Sequence, residues 1–515
     1  MDGTTDAAQS DWGPFGRPLF DDPRAKALSH VGVVDVGSNS VRMVVFDGAA
    51  RSPAYFYNEK IMCALGAGLS ETGRLNPDGR ARALAAMKRF KLLAENICDG
   101  PLTAVATAAI REAEDGPAFR DEVERETGIQ LWVVDGEEEA RLSAQGVLLG
   151  WPGSYGLVCD IGGSSMELAE INGGKVGERL TSSLGPLKLK DLKGGKRARR
   201  AHIRDTLTAM YDQMGEQKNR LFLVGGSWRA IAKIDMERRG YPLHVLHEYR
   251  MSAKSVRATA AYISECDQEE LRQRAGVSTA RMDLAVIAID VLRQVVKTFK
   301  PRDIAVSSYG IREGLLYEQM PQALRDRDPL IEACRFAEAK DARLPGYGRM
   351  VFNFVQPLFR SVPKDQFRII KAACLLHDVS WRAHPDYRAE DCFDNATRAN
   401  LGGLKHAERV FLGLALMHRY SNRREGTRFE ALTKLVTAQD EHQAEVLGKA
   451  MRLAAMFWLR KDETLGELVW KPKKRHLTLK LSKAAEPMFG EVAEARFNSL
   501  AETLEAETKV RVARG

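Results

Sequence analysis

The stretch Val33-Val34-Asp35-Val36-Gly37-Ser38-Asn39-Ser40-Val41-Arg42-Met43 is an apolar run ending in an acid, a tight Gly-Ser-Asn turn and a second apolar run. The same order returns at Leu157-Val158-Cys159-Asp160-Ile161-Gly162-Gly163-Ser164-Ser165-Met166-Glu167-Leu168. Two strand–acid–turn–strand hairpins in one chain predict two related lobes that face each other. Glycine and serine in such turns let backbone N–H groups converge on an anion, and a carboxylate beside the turn can hold a metal ion or a water. Asp-x-Gly is also ordinary turn chemistry. The repetition of the whole pattern is what carries the reading.

A chain of 515 residues has room for about three domains. Its hydrophobic share of 44% is enough for sizeable cores. The net charge of +8 makes nucleic acid, a phosphate polymer or a membrane surface candidate partners, and charge alone does not choose among them. Cysteines 63, 98, 159, 266, 334, 374 and 392 are scattered without a Cys-x-x-Cys pair. That argues against a disulfide framework and a thiolate zinc site, and fits a reducing cytoplasm. No apolar run approaches the ~18 residues that cross a bilayer. Met1 to Phe20 is acidic and polar and does not read as a signal peptide. Residues 1–30 read as a flexible lead-in.

The first α/β lobe is expected over 31–142. Tyr55 to Ile61 is a strand candidate, and Asn76-Pro77 starts a helix with Asn as N-cap and Pro at the first helical position. Ala83, Met87, Phe90, Ala94 and Ile97 form the buried stripe of that helix. Strands at Leu102 to Ala106 and Leu131 to Val134 follow. Asp135 then opens a helix as N-cap, with Glu138 completing a capping-box-like pair. Glu137, Glu138 and Glu139 in the first turn favour the helix dipole, and propensity does not say whether one of them is catalytic.

A second lobe over 143–320 repeats the plan. After a strand near Lys175 to Thr181, Lys188, Lys190, Lys193, Lys196, Arg197, Arg199 and Arg200 crowd together with Asp191 the one acid. A solvated face and a polyanion site both account for that window. Leu221 to Val224 runs into Gly225-Gly226-Ser227-Trp228-Arg229 and a helix, an anion site by geometry or a site of close backbone packing. Met282 to Val296 is apolar nearly all round, a central helix. Residues 321–515 are mainly helical, with a small α+β end from about 464 and a last helix near Glu491 to Glu507. Leu375-Leu376-His377-Asp378 ends an apolar helix. Between His247 and His377 the chain has no histidine, which predicts a helical domain without a working metal site there.

The two Asp hairpins, the Gly-Gly-Ser turn and their order resemble the actin-like ATPase (ribonuclease H-like) fold. Asp35 to Arg42, Thr107-Ala108-Ala109-Ile110-Arg111-Glu112-Ala113, Gly136 to Leu142, Asp160 to Leu168 and Ile311-Arg312-Glu313-Gly314 together resemble the exopolyphosphatase/guanosine pentaphosphate phosphohydrolase (Ppx/GppA) family. The C-terminal part is similar to that family's HD-like domain. The resemblance implies stepwise hydrolysis of the terminal phosphoanhydride of inorganic polyphosphate. Its alternative is conversion of guanosine pentaphosphate to tetraphosphate.

The resemblance further implies Glu139 as general base, with Glu167 also catalytic. It makes Asp35, Asp160 and Glu167 the ligands of Mg²⁺ or Mn²⁺, and admits a monovalent cation such as K⁺. Phosphate contacts are expected from Ser38, Asn39, Arg111, Gly162, Gly163, Ser164, Ser165 and Gly226, and from Lys188 and Arg197 of the basic window. It also implies a cytoplasmic homodimer with no membrane and no specific nucleic-acid partner. Two departures stand out. Gly-Gly-Ser-Ser-Met replaces the usual Gly-Gly-Gly-Ser-Thr, and the indole of Trp228 weighs against a purine at the later turn. A kinase of the same superfamily would need an acceptor site; a polyphosphate or nucleotide sensor would bind tightly without turnover.

Overall fold

A computed structural model describes residues 27–100, 102–217, 219–422, 426–457 and 466–512. The chain divides into two compact units, with the boundary in sequence between Arg327 and Asp328.

In the first unit, β1 (Ala27–Val36), β2 (Ser40–Ala49) and β3 (Ser52–Met62) form an antiparallel meander. β4 (Thr103–Ala106) and β5 (Leu131–Val133) add in parallel, giving the order β3-β2-β1-β4-β5. A second sheet repeats this plan. β6 (Gly156–Ile161), β7 (Met166–Asn172) and β8 (Lys175–Ser182) make the meander, and β9 (Arg220–Val224) joins in parallel. β10 (Arg250–Met251) closes the edge beyond the parallel β11 (Asp303–Val306), giving β10-β11-β9-β6-β7-β8.

The helices alternate with the strands. α1 (Pro77–Ile97) is capped by Asn76, whose side chain accepts from the Gly79 N–H at 2.8 Å. α2 (Ala108–Glu112), α3 (Gly116–Thr127) and α4 (Gly136–Gly150) complete the first half. The second half carries α5 (Pro186–Asp191), α6 (Gly195–Met214), α7 (Gly226–Arg238), α8 (Ala253–Glu265), α9 (Thr279–Phe299) and α10 (Ile311–Glu318). One core joins the two sheets, with Val33 and Phe46 from the first, Val158 and Phe222 from the second, and Leu142 and Leu315 from α4 and α10. α4 and α10 pack backbone to backbone. A Cβ at Gly314 would stand 1.8 Å from the Leu142 carbonyl oxygen, and one at Gly146 2.2 Å from that of Gly310. Only glycine permits that approach.

Three local expectations need correction. Strand β1 begins at Ala27, so 27–30 belong to the sheet; residues 1–26 of the expected lead-in lie outside the described residues. The boundary drawn at 142/143 falls inside α4. Asp135 does cap α4, accepting from the Glu138 N–H at 2.7 Å, but the Glu138 carboxylate pairs with Arg141 instead of closing a capping box.

The second unit is built on α11 (Pro329–Asp341), α12 (Tyr347–Val355), α13 (Lys364–Leu376), α14 (Arg388–Arg398), α15 (His406–His418) and α16 (Ala438–Ala454). Its end holds β12 (Glu467–Lys471), β13 (His476–Leu481), α17 (Glu491–Thr503) and β14 (Glu507–Val512). β14 was not foreseen; it pairs in parallel with β13, and the crossover through α17 makes a three-stranded sheet, β12-β13-β14. No described helix is long and apolar enough to cross a membrane.

Candidate active site

The two hairpin turns are built alike. Gly37 N–H donates to the Ser40 carbonyl at 3.0 Å, and Gly162 N–H to that of Ser165 at 3.0 Å. In register, Asp35 faces Arg42 across the first hairpin and Asp160 faces Glu167 across the second. The turns meet where the Ser164 hydroxyl donates to the Ser38 hydroxyl at 3.1 Å. Both turns line one cavity of about 340 Å³. Asp35, Glu139 and Asp160 line it too, with Ser38, Asn39, Gly162, Gly163, Ser165 and the Gly225-Gly226 turn that starts α7.

Of the three acids opening α4, only Glu139 reaches the cavity; Glu137 is exposed and Glu138 is tied to Arg141. Glu139 is buried, with its Oε2 3.2 Å from Arg111 Nη1. Arg111 also donates to the Val134 carbonyl at 2.8 Å, which fixes the guanidinium between α2 and β5. Burial pushes the Glu139 carboxyl up to about 8, with Arg111 opposing and Asp160 adding to the rise. Burial also raises Asp35, against the pull of Arg312 at 3.7 Å. It raises Asp160 as well, although the Ser143 hydroxyl donates to that carboxylate. Glu167 lies behind the cavity wall. Its Oε1 accepts from Thr181 at 3.2 Å, its Oε2 has no partner, and burial together with Glu139 and Asp160 raises it well above the usual range.

Facing these acids are five cations that sequence reasoning did not select: Arg42, Lys60, Arg229, Arg281 and Arg312. Burial, then Arg281, Arg42 and Arg229, push Lys60 down to about 8. Burial, Arg312 and Arg229 lower Arg42 to about 10. Arg281 lies over the start of α7, so close that a Cβ at Gly226 would stand 1.8 Å from its Nη1. Arg312 follows Gly310, whose N–H donates to Glu313 Oε2 at 2.8 Å; Tyr55 donates to Glu313 Oε1 at 2.8 Å. Acids and cations are thus interleaved around one cleft, Arg42 beside Asp35 in register and Arg312 in reach of it, and burial disfavours the charged form of most of them. Phosphate oxygens suit the cations and a metal ion the acids.

Lys188 and Arg197 are not brought to the cavity. Lys188 pairs with Glu112 at 2.6 Å, and Arg197 is exposed near the start of α6. Trp228 does not crowd the turn either: its indole is fully buried in the core of the second sheet and donates to the Cys159 carbonyl at 3.1 Å. Met166, in the Gly-Gly-Ser-Ser-Met turn, is also buried in that core.

Among the described residues no three His, Cys, Asp or Glu side chains form a ready metal-ligand set. The acids of the cleft still fit a divalent ion that shares its shell with substrate oxygens, because Glu167 Oε2 is buried and unpartnered and every neighbouring acid is raised. In the second unit His377 ends α13, and Asp378 is held by Arg343 through Nη2 at 2.5 Å and Nε at 3.0 Å.

Residues 44–323 match the family model described as Ppx/GppA phosphatase family, and 361–510 the one described as Exopolyphosphatase, C-terminal. The guanosine-5'-triphosphate,3'-diphosphate pyrophosphatase of Aeromonas salmonicida is 25% identical over 484 residues, covering 87% of this chain and 92% of that protein. Exopolyphosphatase 1 of Mycobacterium bovis is 26% identical over 319 residues, 59% of this chain and 91% of that protein. The crystal structure of an exopolyphosphatase from Cytophaga hutchinsonii matches with a TM-score of 0.51 at 23% identity, over 56% of this chain and 97% of that one, which shows a common fold.

Proposed function

The chain belongs to the Ppx/GppA phosphatase family, hydrolases of phosphoanhydrides on an actin-like two-lobed fold, and from that premise we propose that it is an exopolyphosphatase. It hydrolyses the terminal phosphoanhydride of inorganic polyphosphate and releases orthophosphate. The observation that carries this is the cleft itself: a buried carboxylate with a raised pKa shares one cavity lining with Asp35, Asp160 and the five cations Arg42, Lys60, Arg229, Arg281 and Arg312.

The terminal phosphoryl group spreads negative charge over its oxygens as it transfers, so preorganised donors supply most of the stabilisation. Here they are the N–H groups of the two hairpin turns, the start of α7 at Gly226, and the guanidinium groups of Arg42, Arg229, Arg281 and Arg312. Glu139 orients a water and takes its proton. The water oxygen bonds to the terminal phosphorus, the bridging P–O bond breaks, and the shortened chain leaves with the bridging oxygen. Arg111 holds Glu139 in place. Mg²⁺ or Mn²⁺, when bound by Asp35, Asp160 and Glu167, adds positive charge beside the phosphate oxygens; K⁺ belongs to the same proposal. A cytoplasmic location fits the seven unpaired cysteines. A homodimer completes the reading and is checked by mass in solution.

Among the described residues no aromatic side chain lines the cleft, so they offer no stacking surface for a base there. That favours a bare phosphate chain. The second reading, hydrolysis of guanosine pentaphosphate, is supported by the extended similarity to the Aeromonas protein and by the inward burial of Trp228. Orthophosphate release from short polyphosphate, long polyphosphate and guanosine pentaphosphate, with and without Mg²⁺, separates the two. Faster release from guanosine pentaphosphate than from either polymer overturns the first reading.

A further inference from the structure

A second cavity, of about 590 Å³, opens between α6, α8 and α9, apart from the residues of the cleft. Its wall carries Arg200, Arg257, Arg293, Lys297 and Lys300 against a single acid, Asp290. Asp290 is already occupied: Arg200 bonds it at 3.0 Å, and Arg293 approaches to 3.7 Å. Arg257, Lys297 and Lys300 are exposed and enter no ion pair among the described residues. Lys297 and Lys300 also sit at the C-terminal end of α9, where the helix dipole favours cations. That accounts for those two and leaves Arg257 and the rest of the cluster unexplained.

The cavity is joined to the cleft by the chain's most basic stretch. α5 starts against the second phosphate turn, with Leu187 N–H donating to the Gly163 carbonyl at 2.9 Å. From there Lys188, Lys190, Lys193, Lys196 and Arg197 lead along α5 and the first turns of α6 to Arg200 at the cavity wall. Each of the two helical pieces is about 9 Å long, so only an extended ligand spans both ends. The apolar floor, Ile203, Val256 and Val296, carries no aromatic ring, and nucleic acid would find no stacking platform there.

We propose that this cavity is a second polyphosphate subsite, which holds a stretch of the same chain distant from its cleaved end. The proposal rests on the exopolyphosphatase reading. A second contact on one polymer raises the effective concentration of its terminus at the cleft, so it lowers KM for long chains and leaves short ones unaffected.

The test is the full-length Arg257→Glu/Lys297→Glu/Lys300→Glu variant, with the Gln triple variant as a milder control of fold. The expected result is a rise of about tenfold in KM for long-chain polyphosphate, with triphosphate kinetics unchanged. An equal change for both substrates, or none, overturns the subsite. Equilibrium binding of long-chain polyphosphate to the same proteins separates the two proposals. Should the wild type release no orthophosphate from any polyphosphate, the exopolyphosphatase reading fails; weaker binding by the variants then still supports a polyanion cavity, and unaltered binding removes it. Competition by single-stranded RNA as strong as that by polyphosphate overturns the assigned ligand.

Discussion

Glu139 shows how one position in a helix decides a role. Three glutamates share the first turn of α4, and their dipole energy is nearly the same. Only the third turns inward, where it meets Arg111 and shares a cleft with Asp160. Glu139→Gln is therefore expected to cut orthophosphate release by about 10²–10⁴ while keeping polyphosphate affinity; near-wild-type turnover in that variant would dismiss the base. A base works deprotonated, and burial places this one near 8, so kcat/KM should climb with pH up to that value at low divalent ion. A cation among the neighbouring carboxylates favours the charged form, so added Mg²⁺ should move the climb to lower pH. A climb that ignores Mg²⁺ would separate Glu139 from the cation site. Asp35 and Asp160 were legible because each sits beside a local hairpin turn; Glu139 was singled out by the family resemblance alone, since Glu137 and Glu138 share its helix start. Arg281 and Lys60 were not, because each is a lone cation placed only by packing between elements far apart in the chain; Arg229 stood in the quoted Gly225–Arg229 turn, which was read for its backbone and not for its guanidinium. Lys188 and Arg197 were chosen for charge density, and density does not say which wall a side chain joins: the fold sets both outside the cleft, Lys188 against Glu112 and Arg197 exposed on α6.

At the scale of elements, the repeated hairpin was readable because each copy is an apolar run, an acid, a glycine turn and a second apolar run. The order of the parallel strands beside each hairpin was not written there; the packing of the helices between them sets it. β14 was hidden for a separate reason. Glu507-Thr508-Lys509-Val510-Arg511-Val512 alternates charged and β-branched residues, but it is short, follows directly on a helical pattern and is exposed throughout, so no apolar face separates it from that helix. Helix α7 is tied to its neighbours by a feature no pattern announces, Asp235 in the middle of an apolar face. Its carboxylate accepts from Thr259 at 2.6 Å, Tyr249 at 2.7 Å, Ser255 at 2.7 Å and Arg238 at 2.7 Å. Burial alone would raise its pKa, but these four donors outweigh it and hold the group below its usual value. The stability it contributes is present above the unfolded pKa and is lost as pH falls through the lower folded one. Asp235→Asn removes the charge and replaces one of the two accepting oxygens by an N–H₂ that cannot accept from these donors. It should cost the first unit about 3 kcal/mol in urea unfolding. An unchanged urea midpoint would mean that the four contacts are not the tie described.

At the scale of the whole chain, the two units answer to different chemistry. The first gathers one group of buried charges around its cleft; the second gathers one around its own core. His377 is the centre of that second group. It is buried, its Nδ1–H donates to the Cys374 carbonyl at 2.8 Å, and its Nε2 has no partner. Around it stand Asp378, clamped by Arg343, and the buried Arg419, with Tyr420 donating to the His377 carbonyl at 3.0 Å. Burial, then Arg419, push the imidazole down to about 4. The sequence showed a His-Asp pair at a helix end and the want of a histidine upstream. It did not show that two arginines crowd the pair, because Arg343 and Arg419 come from elements far apart in the chain. The sign of the pH effect follows. Between about 4 and 6.5 the unfolded chain binds a proton here and the folded unit does not. Stability is therefore complete above 6.5, falls as pH drops through that window, and levels off below about 4. The difference amounts to about 3 kcal/mol for this one group. His377→Gln is expected to destabilise the unit at pH 7.5, with the gap to wild type narrowing by that amount on acidification to pH 4.5. Calorimetry that resolves the transitions of the two units checks this, and a gap that stays constant over the window would show that His377 titrates normally in the fold.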